Sequence, residues 1–344
     1  MIHYTTGNLL DAEVDALVNT VNCVGVMGKG IALQFRQAWP ENYEEYRRAC
    51  QHEEVRPGRM FIHDTGRLVK PRFIINFPTK KHWKGKSRME DVASGLDALV
   101  QEIRARGIRS VALPPLGCGN GGLDWGVVRN LIENKLRDLD DVEVLIYEPA
   151  GAPPNREMRV ATAEPNMSRG RAALLAIFRK YLVPGYELTM LEIQKLAYFL
   201  QVAGEPLRLN FAKERFGPYA EQLHHVLQRI EGHYIRGYGD RSRDASVEVM
   251  PEAMDRAETM LREQYPETLD YADRVEKLIE GFETPFGLEL LSTVHWAMNE
   301  EPAAREDLCA AVRAVHQWNA RKAEIFTDRH VELAWQRLRE QRWN

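Results

Sequence analysis

For its first 147 residues the chain alternates short, β-rich apolar runs with longer helical ones, and that alternation leaves few folds open. The apolar runs lie at 2–5, 16–18, 59–64, 73–77, 110–114 and 142–147, and the helical stretches at 31–39, 87–107 and 125–139. In 87–107 the residues Val92, Leu96, Leu99, Val100 and Ile103 recur at helical spacing, and Val128, Leu131, Ile132 and Leu136 do so in 125–139. A period of 3.6 gathers each set on one helix face. Runs such as 110–114 are too uniformly apolar for a strand with one wet face, so a sheet covered on both sides is expected. Strands alternating with helices of this length predict an α/β sandwich.

The pattern stops at Glu148. Pro149-Ala150-Gly151-Ala152-Pro153-Pro154-Asn155 has the composition of a boundary loop, and apolar density stays low to Ser168. The expected division is a first domain at 1–150, a linker at 151–168 and a second, mainly α-helical domain at 169–344. Helices are expected there at 171–181, 189–203, 218–231, 251–265, 269–282, 285–298, 302–319 and from 330 onward. Thr189 with Glu192 three residues later forms a capping box ahead of the apolar side Leu191, Leu196, Phe199 and Leu200.

Composition narrows the function classes. The chain has 344 residues, 44% of them hydrophobic and 28% charged, the values of a soluble protein. No uncharged apolar run approaches the roughly 20 residues that cross a bilayer. Met1-Ile2-His3-Tyr4-Thr5 has neither a basic leader nor an apolar secretory segment, so a cytoplasmic protein with no membrane partner is expected. Cys23, Cys50, Cys118 and Cys309 form no CxxC pair and read as reduced thiols. His63, His82 and the cysteines have no metal-ligand spacing, and neither a metal nor a cofactor is expected. The net charge is −4, with 20 basic and 20 acidic residues in 1–154 but 5 basic and 16 acidic in 248–307. That balance excludes a strongly basic DNA-wrapping protein and leaves a local basic site open.

Two glycine loops carry most of the functional information. The first, Asn19-Thr20-Val21-Asn22-Cys23-Val24-Gly25-Val26-Met27-Gly28-Lys29-Gly30-Ile31-Ala32, leads from a strand into a helix. So does the second, Pro114-Pro115-Leu116-Gly117-Cys118-Gly119-Asn120-Gly121-Gly122-Leu123-Asp124-Trp125. Glycines let the backbone approach a ligand closely, and a helix N-terminus offers free N–H groups to phosphate. Neither loop is a GxxxxGK[ST] or a GxGxxG motif. Two such loops at one sheet edge form a crevice suited to a diphosphate.

The order Gly7-Asn8-Leu9-Leu10, Ala16-Leu17-Val18-Asn19-Thr20-Val21-Asn22, Gly28-Lys29-Gly30-Ile31-Ala32 and Leu113-Pro114-Pro115-Leu116-Gly117-Cys118-Gly119 resembles the macrodomain superfamily. The resemblance implies a three-layer α/β/α module with a mixed central sheet that binds ADP-ribose. It sets Gly7, Asn8 and Leu9 against the adenosine half. Gly28, Lys29, Gly30 and Ile31 line the distal ribose and diphosphate. Gly117, Cys118, Gly119, Asn120, Gly121, Gly122 and Leu123 close over the phosphates, and Val21, Cys23, Thr79 and Leu116 complete the contacts. Asn76-Phe77-Pro78-Thr79-Lys80-Lys81-His82-Trp83-Lys84 resembles the branch that removes ADP-ribose with a lysine, here Lys80. Within that branch the likeness runs to the DarG antitoxins, which remove ADP-ribose from thymidine bases in DNA modified by DarT toxins. Relatives that strip ADP-ribose from protein glutamates add an aspartate in the second loop. That position is Gly121 here, and the nearest acid is Asp124, so a two-residue mechanism does not transfer. The run 188–201 with Phe216-Gly217-Pro218-Tyr219-Ala220 resembles a helical antitoxin domain, implying that 169–344 binds the partner toxin.

The partners so implied are ADP-ribosylated, single-stranded DNA, the product ADP-ribose and a toxin of the DarT type. The competing readings are an ester hydrolase acting on protein glutamates and an ADP-ribose reader without turnover. Cleavage of the ribose–base bond develops oxocarbenium character at C1″ and negative charge on the departing imide. Lys80 then serves as cation or acid to the base, as nucleophile at C1″, or as a diphosphate ligand. Asn22 is the second expected catalytic residue, its amide holding ribose hydroxyls or pyrimidine carbonyls, against the alternative of a local turn amide. His82, Trp83 and Lys84 are expected DNA contacts, Trp83 stacking on a base or else packing at the strand end. The acidic window suggests that Glu276, Glu280 and Glu283, extended by Asp270 and Asp273, present one side to a cationic toxin groove.

Overall fold

A computed structural model describes residues 1–149, 158–238 and 246–343. Most of the boundary loop expected at 149–155, and the start of the expected linker, lie outside the described residues. The chain divides into two compact units, Met1–Ala163 and Glu164–Asn344.

In the first unit β1 (Ile2–Thr5), β2 (Ala16–Val21), β3 (Phe61–Asp64), β4 (Phe73–Pro78), β5 (Ser110–Leu113) and β6 (Glu143–Tyr147) form one sheet in the order β1-β6-β5-β2-β4-β3. Every pair is parallel except β3 with β4. Side-chain alternation sorts the two faces. Ala16, Val18, Phe73, Ile75 and Phe77 pack with α3 (Met89–Arg106) and α4 (Trp125–Leu136). Leu17 and Ile74 pack with Phe35 and Ala38 of α1 (Gly30–Ala38), and Val21 with Tyr46 and Ala49 of α2 (Pro40–Gln51). The architecture is the three-layer α/β/α sandwich with a mixed sheet.

Helix α2 lies where no helix is expected from the sequence. Pro40 ends α1, since a proline lacks the N–H a helix needs, and then opens α2 at its first position, where that N–H is not needed. Between α2 and the sheet lie three fully buried amides, Asn19 and Asn76 on β2 and β4 and Asn42 on α2 itself. Asn19 Nδ2 donates to Asn76 Oδ1 (3.0 Å), and Asn76 Nδ2 donates to Asn42 Oδ1 (2.7 Å). The N–H of Ala161 donates to Gln37 O (2.8 Å) and Arg159 pairs with Asp11 (3.5 Å), so 159–161 lie on the first unit.

The second unit is largely helical. It contains α5 (Arg169–Tyr181), α6 (Met190–Ala203), α7 (Gln222–Ile230), α8 (Pro251–Gln264), α9 (Pro266–Ile279), α10 (Pro285–Glu300), α11 (Ala303–Glu306), α12 (Leu308–His316), α13 (Ala320–Ile325) and α14 (Asp328–Glu340). Short strands β7 (Leu188–Thr189), β10 (Ile235–Arg236) and β11 (Ser246–Val249) make one small sheet, and β8 (Ala212–Glu214) pairs with β9 (Gly217–Tyr219). The expected capping box forms: Thr189 Oγ1 accepts from the Glu192 N–H while Glu192 accepts from the Thr189 N–H. The expected helix at 218–231 starts later, because 217–219 pair as a strand. The expected helix at 302–319 breaks at Asp307, whose carboxylate caps Cys309 and Ala310 and starts α12. Among the described residues no helix is long and apolar enough to cross a membrane.

The expected acidic side does not form as drawn. Asp273 and Glu276 both bind Lys180 (2.7 and 2.8 Å). Glu280 and Glu283 lie past the end of α9, and Glu283 accepts from the Gly281 N–H (2.6 Å). The helix ends too early to align the five acids.

Candidate active site

Five parallel strands deliver their C-terminal ends to one edge of the sheet. From β2 the chain moves outward to β4, and from β5 it moves the other way to β6, so the crevice between the β2 and β5 loops sits where the strand order reverses. Open α/β sheets bind ligands at that place. Both glycine loops leave from it, and Lys80 follows β4 on the other side of β2.

The first loop is held by Asn22. This residue is buried, and its Oδ1 accepts from the N–H groups of Val24 (3.0 Å) and Val26 (3.4 Å) while its Nδ2 donates to Val26 O (2.5 Å). The Tyr46 hydroxyl on α2 donates to Asn22 O (2.6 Å). The amide is thus engaged in shaping the turn, the local alternative recognised in the sequence. Tyr46 was not foreseen because the helix that carries it was not. Loop residues Gly28, Lys29, Gly30 and Ile31 remain at least partly exposed, while Val21 below them is buried.

Lys80 is half-buried and donates to the carbonyl of Asn120 in the second loop (3.3 Å). Burial, and next the neighbouring Lys29 ammonium, hold its pKa below the ordinary lysine range. Gly30 approaches the same place, since a Cβ built on it would lie 3.4 Å from Asn120 Nδ2. Lys29 and Gly30 of the first loop, Asn120 of the second and Lys80 after β4 therefore meet. Thr79, just before Lys80, is buried and donates its N–H to Val21 O (3.0 Å), which continues the β4–β2 pairing up to Lys80.

The second loop turns back on itself: the Leu123 N–H reaches Gly117 O (3.1 Å) and the Gly122 N–H reaches Gly119 O (3.0 Å). Gly117 takes a φ of +72°, a left-handed conformation that glycine permits. At Gly121 the restriction is steric. A Cβ there would lie 2.3 Å from both Gly117 O and Ser87 Oγ. No side chain, and so no aspartate, fits this position in the present loop. Ser87 donates its own N–H to Gly121 O (3.1 Å), and its buried hydroxyl has no hydrogen-bond partner among the described residues. Reading 87–107 as helix hid this role; Ser87 precedes α3 and fastens the loop. Leu116 is fully buried beneath it, whereas Gly119 and Asn120 are exposed.

At the adenosine end expected from the resemblance, Gly7 is exposed with a φ of +109°. Asn8 starts a single 3-10 turn, accepting from the Leu10 N–H (3.1 Å) and donating to Asp11 (2.9 Å), and Leu9 is buried. The thiols in the glycine loops are poor nucleophiles. Burial, then Cys50, pushes Cys23 up to about 11, and burial, then Asp124, pushes Cys118 up to about 11. Beyond Lys80, Trp83 is 46% exposed rather than packed at the strand end, with His82 stacked beside it and the Lys84 ammonium 5.0 Å from its ring centre. Among the described residues no three His, Cys, Asp or Glu side chains gather as metal ligands.

The macro domain family model matches residues 18–132. A protein of Thermus aquaticus named DNA ADP-ribosyl glycohydrolase is 50% identical over 97% of this chain and 92% of its own length. A Mycobacterium tuberculosis protein of the same name is 42% identical over 98% of this chain and 99% of its own. A Thermosipho africanus protein, named a DNA ADP-ribosyl transferase-DNA ADP-ribosyl glycohydrolase fusion, is 34% identical over 42% of this chain and 40% of its own.

Proposed function

Because this chain belongs to the macro domain superfamily, close to the bacterial DarG-type ADP-ribosyl glycohydrolases, we propose that it hydrolyses the bond between ADP-ribose and thymidine bases in DNA and acts as the antitoxin of a DarT-type transferase. The observation that carries this reading is Lys80, set between two glycine loops with its charge unmatched by any carboxylate among the described residues. The loops offer backbone N–H groups and the Lys29 and Lys80 cations to a diphosphate. Lys80 is then near the distal ribose, where it supplies positive charge or a proton as the imide departs. Its lowered pKa favours proton donation, because an ammonium closer to neutrality gives up its proton more readily. The same shift raises the fraction of free amine that would attack C1″. Borohydride trapping of a lysine–sugar adduct separates the two roles. Asn22 and Tyr46 hold the first loop, and Ser87 the second, in position.

The space at Gly121 argues against the glutamate-ester reaction as its relatives perform it, since the aspartate they use has no room here. The second unit, in this reading, binds the transferase; a relative in which transferase and glycohydrolase share one chain supports that partnership. The test is release of ADP-ribose from ADP-ribosylated single-stranded DNA and from glutamate-modified protein, beside Lys80→Ala. Release from DNA alone, lost in the variant, is expected. Tight ADP-ribose binding without release from either substrate would instead identify a reader.

A further inference from the structure

We infer that residues 81–88 form the strand-gripping part of this site, on which single-stranded DNA lays one unpaired base over Trp83 and passes its phosphates along Lys81, Lys84, Lys86 and Arg88. The inference rests on the substrate reading above and extends it to the nucleotides beside the modified one.

Three observations converge. The run Lys80-Lys81-His82-Trp83-Lys84-Gly85-Lys86-Ser87-Arg88 has five cations and no acid. Elsewhere in the first unit several cations take carboxylates, among them Lys70 with Asp15, Arg129 with Glu133 and Glu148, and Lys135 with Asp97. Among the described residues none of the five does so. Unpaired like charges crowded on one loop raise the local potential and attract a polyanion.

Second, the ring of Trp83 is presented to solvent. His82 lies nearly parallel to it, at 5.5 Å and 28°. The turn is closed by His82, whose ring Nδ1 accepts from the Lys84 N–H (3.2 Å) and whose carbonyl accepts from the Gly85 N–H (3.0 Å). An exposed indole flanked by cations is a stacking surface for a base whose face is free, which duplex DNA does not offer.

Third, both ends of the platform are tied to the glycine loops. The Cys23 N–H of the first loop donates to Lys81 O (3.1 Å), and the Ser87 N–H donates to Gly121 O of the second (3.1 Å). A base on Trp83 is therefore a near neighbour of the nucleotide whose ADP-ribose lies in the crevice. An acidic peptide would use the cations but has no use for the indole.

The experiment compares the full chain with Trp83→Ala, Trp83→Phe and the double variant Lys84→Ala/Lys86→Ala. The substrates are an ADP-ribosylated thymidine mononucleotide and an ADP-ribosylated single-stranded oligonucleotide. Trp83→Ala is expected to raise the ratio of oligonucleotide KM to mononucleotide KM about tenfold, with the loss in KM rather than kcat, and Trp83→Phe to recover much of it. The double variant should lower the salt slope of oligonucleotide binding by about 1.4. An unchanged KM ratio in Trp83→Ala would overturn the inference, as would equal competition by a poly-glutamate peptide and by unmodified single-stranded DNA. If the wild type released ADP-ribose from neither DNA substrate, the substrate reading itself would fail; release from both with no preference for the oligonucleotide would remove the platform alone.

Discussion

Lys80 in the first unit and Lys195 in the second are both held below the ordinary lysine range by burial, yet they stand in opposite surroundings. Lys195 is inside the core, where its ammonium donates to Pro218 O (2.6 Å) and its pKa is pushed down to about 7. Beside it Lys322, pushed down to about 8, binds Glu289 (2.9 Å) and Thr293 (2.8 Å), and Arg321 grips the same carboxylate twice. Lys80 has a backbone carbonyl and a second lysine for company, at the sheet edge between the two glycine loops. The contrast shows that a depressed amine does not by itself mark an active site. A cation whose counter-charge comes from its own core is structural; a cation left without one beside a crevice is available to an anionic substrate.

The largest test of that contrast is Lys80→Ala. ADP-ribose release from modified DNA should fall about 1,000-fold, while thermal unfolding stays within a few degrees of wild type. Equal damage to folding would make Lys80 structural after all. Glu289→Gln should do the reverse. It leaves Lys322 and Arg321 without a carboxylate in the core, at a cost of about 3–5 kcal/mol in the second unit, read by denaturant unfolding and by hydrogen exchange at α10 amides. Gly121→Ala should reduce turnover roughly 10- to 100-fold, because its methyl group displaces the loop from Gly117 and Ser87; steady-state kinetics with the oligonucleotide would measure it.

The last test of the contrast is in pH. Lys195 titrates near 7 folded and at 10.5 as an ordinary lysine, so between those values the unfolded chain holds more protons. Stability of the second unit therefore rises with pH from 7 toward 9.5, and Lys322 acts in the same direction above about 8. The gain should be on the order of 3 kcal/mol from Lys195, with a smaller share from Lys322, by exchange at α6 amides, and Lys195→Met should remove the first share and leave the second.

Much of the fold was legible because the first unit obeys periodicity. The apolar faces of α3 and α4 and the buried runs of β2, β4 and β5 follow from residue spacing alone. What was missed depended on partners distant in sequence. Helix α2 is polar along most of its length and is held by burying Tyr46 and Ala49 against Val21, which no local pattern shows. The strand at 217–219 exists because it pairs with 212–214. At the site, the glycine loops and Lys80 stood out as sequence, but Ser87 and Tyr46 matter only through the loops they touch.

The sequence by itself determined the alternation that makes a three-layer sandwich, the two backbone-flexible loops, and a lysine after a strand end without acids nearby, because spacing and residue type dictate these locally. The tertiary structure alone decided that Asn22 is consumed by its own turn, that Gly121 has no room for a side chain, and that Lys29, Asn120 and Lys80 meet. Those outcomes depend on strand order, which brings loops roughly forty and ninety residues apart to one edge and fixes which atoms share a few ångströms of space.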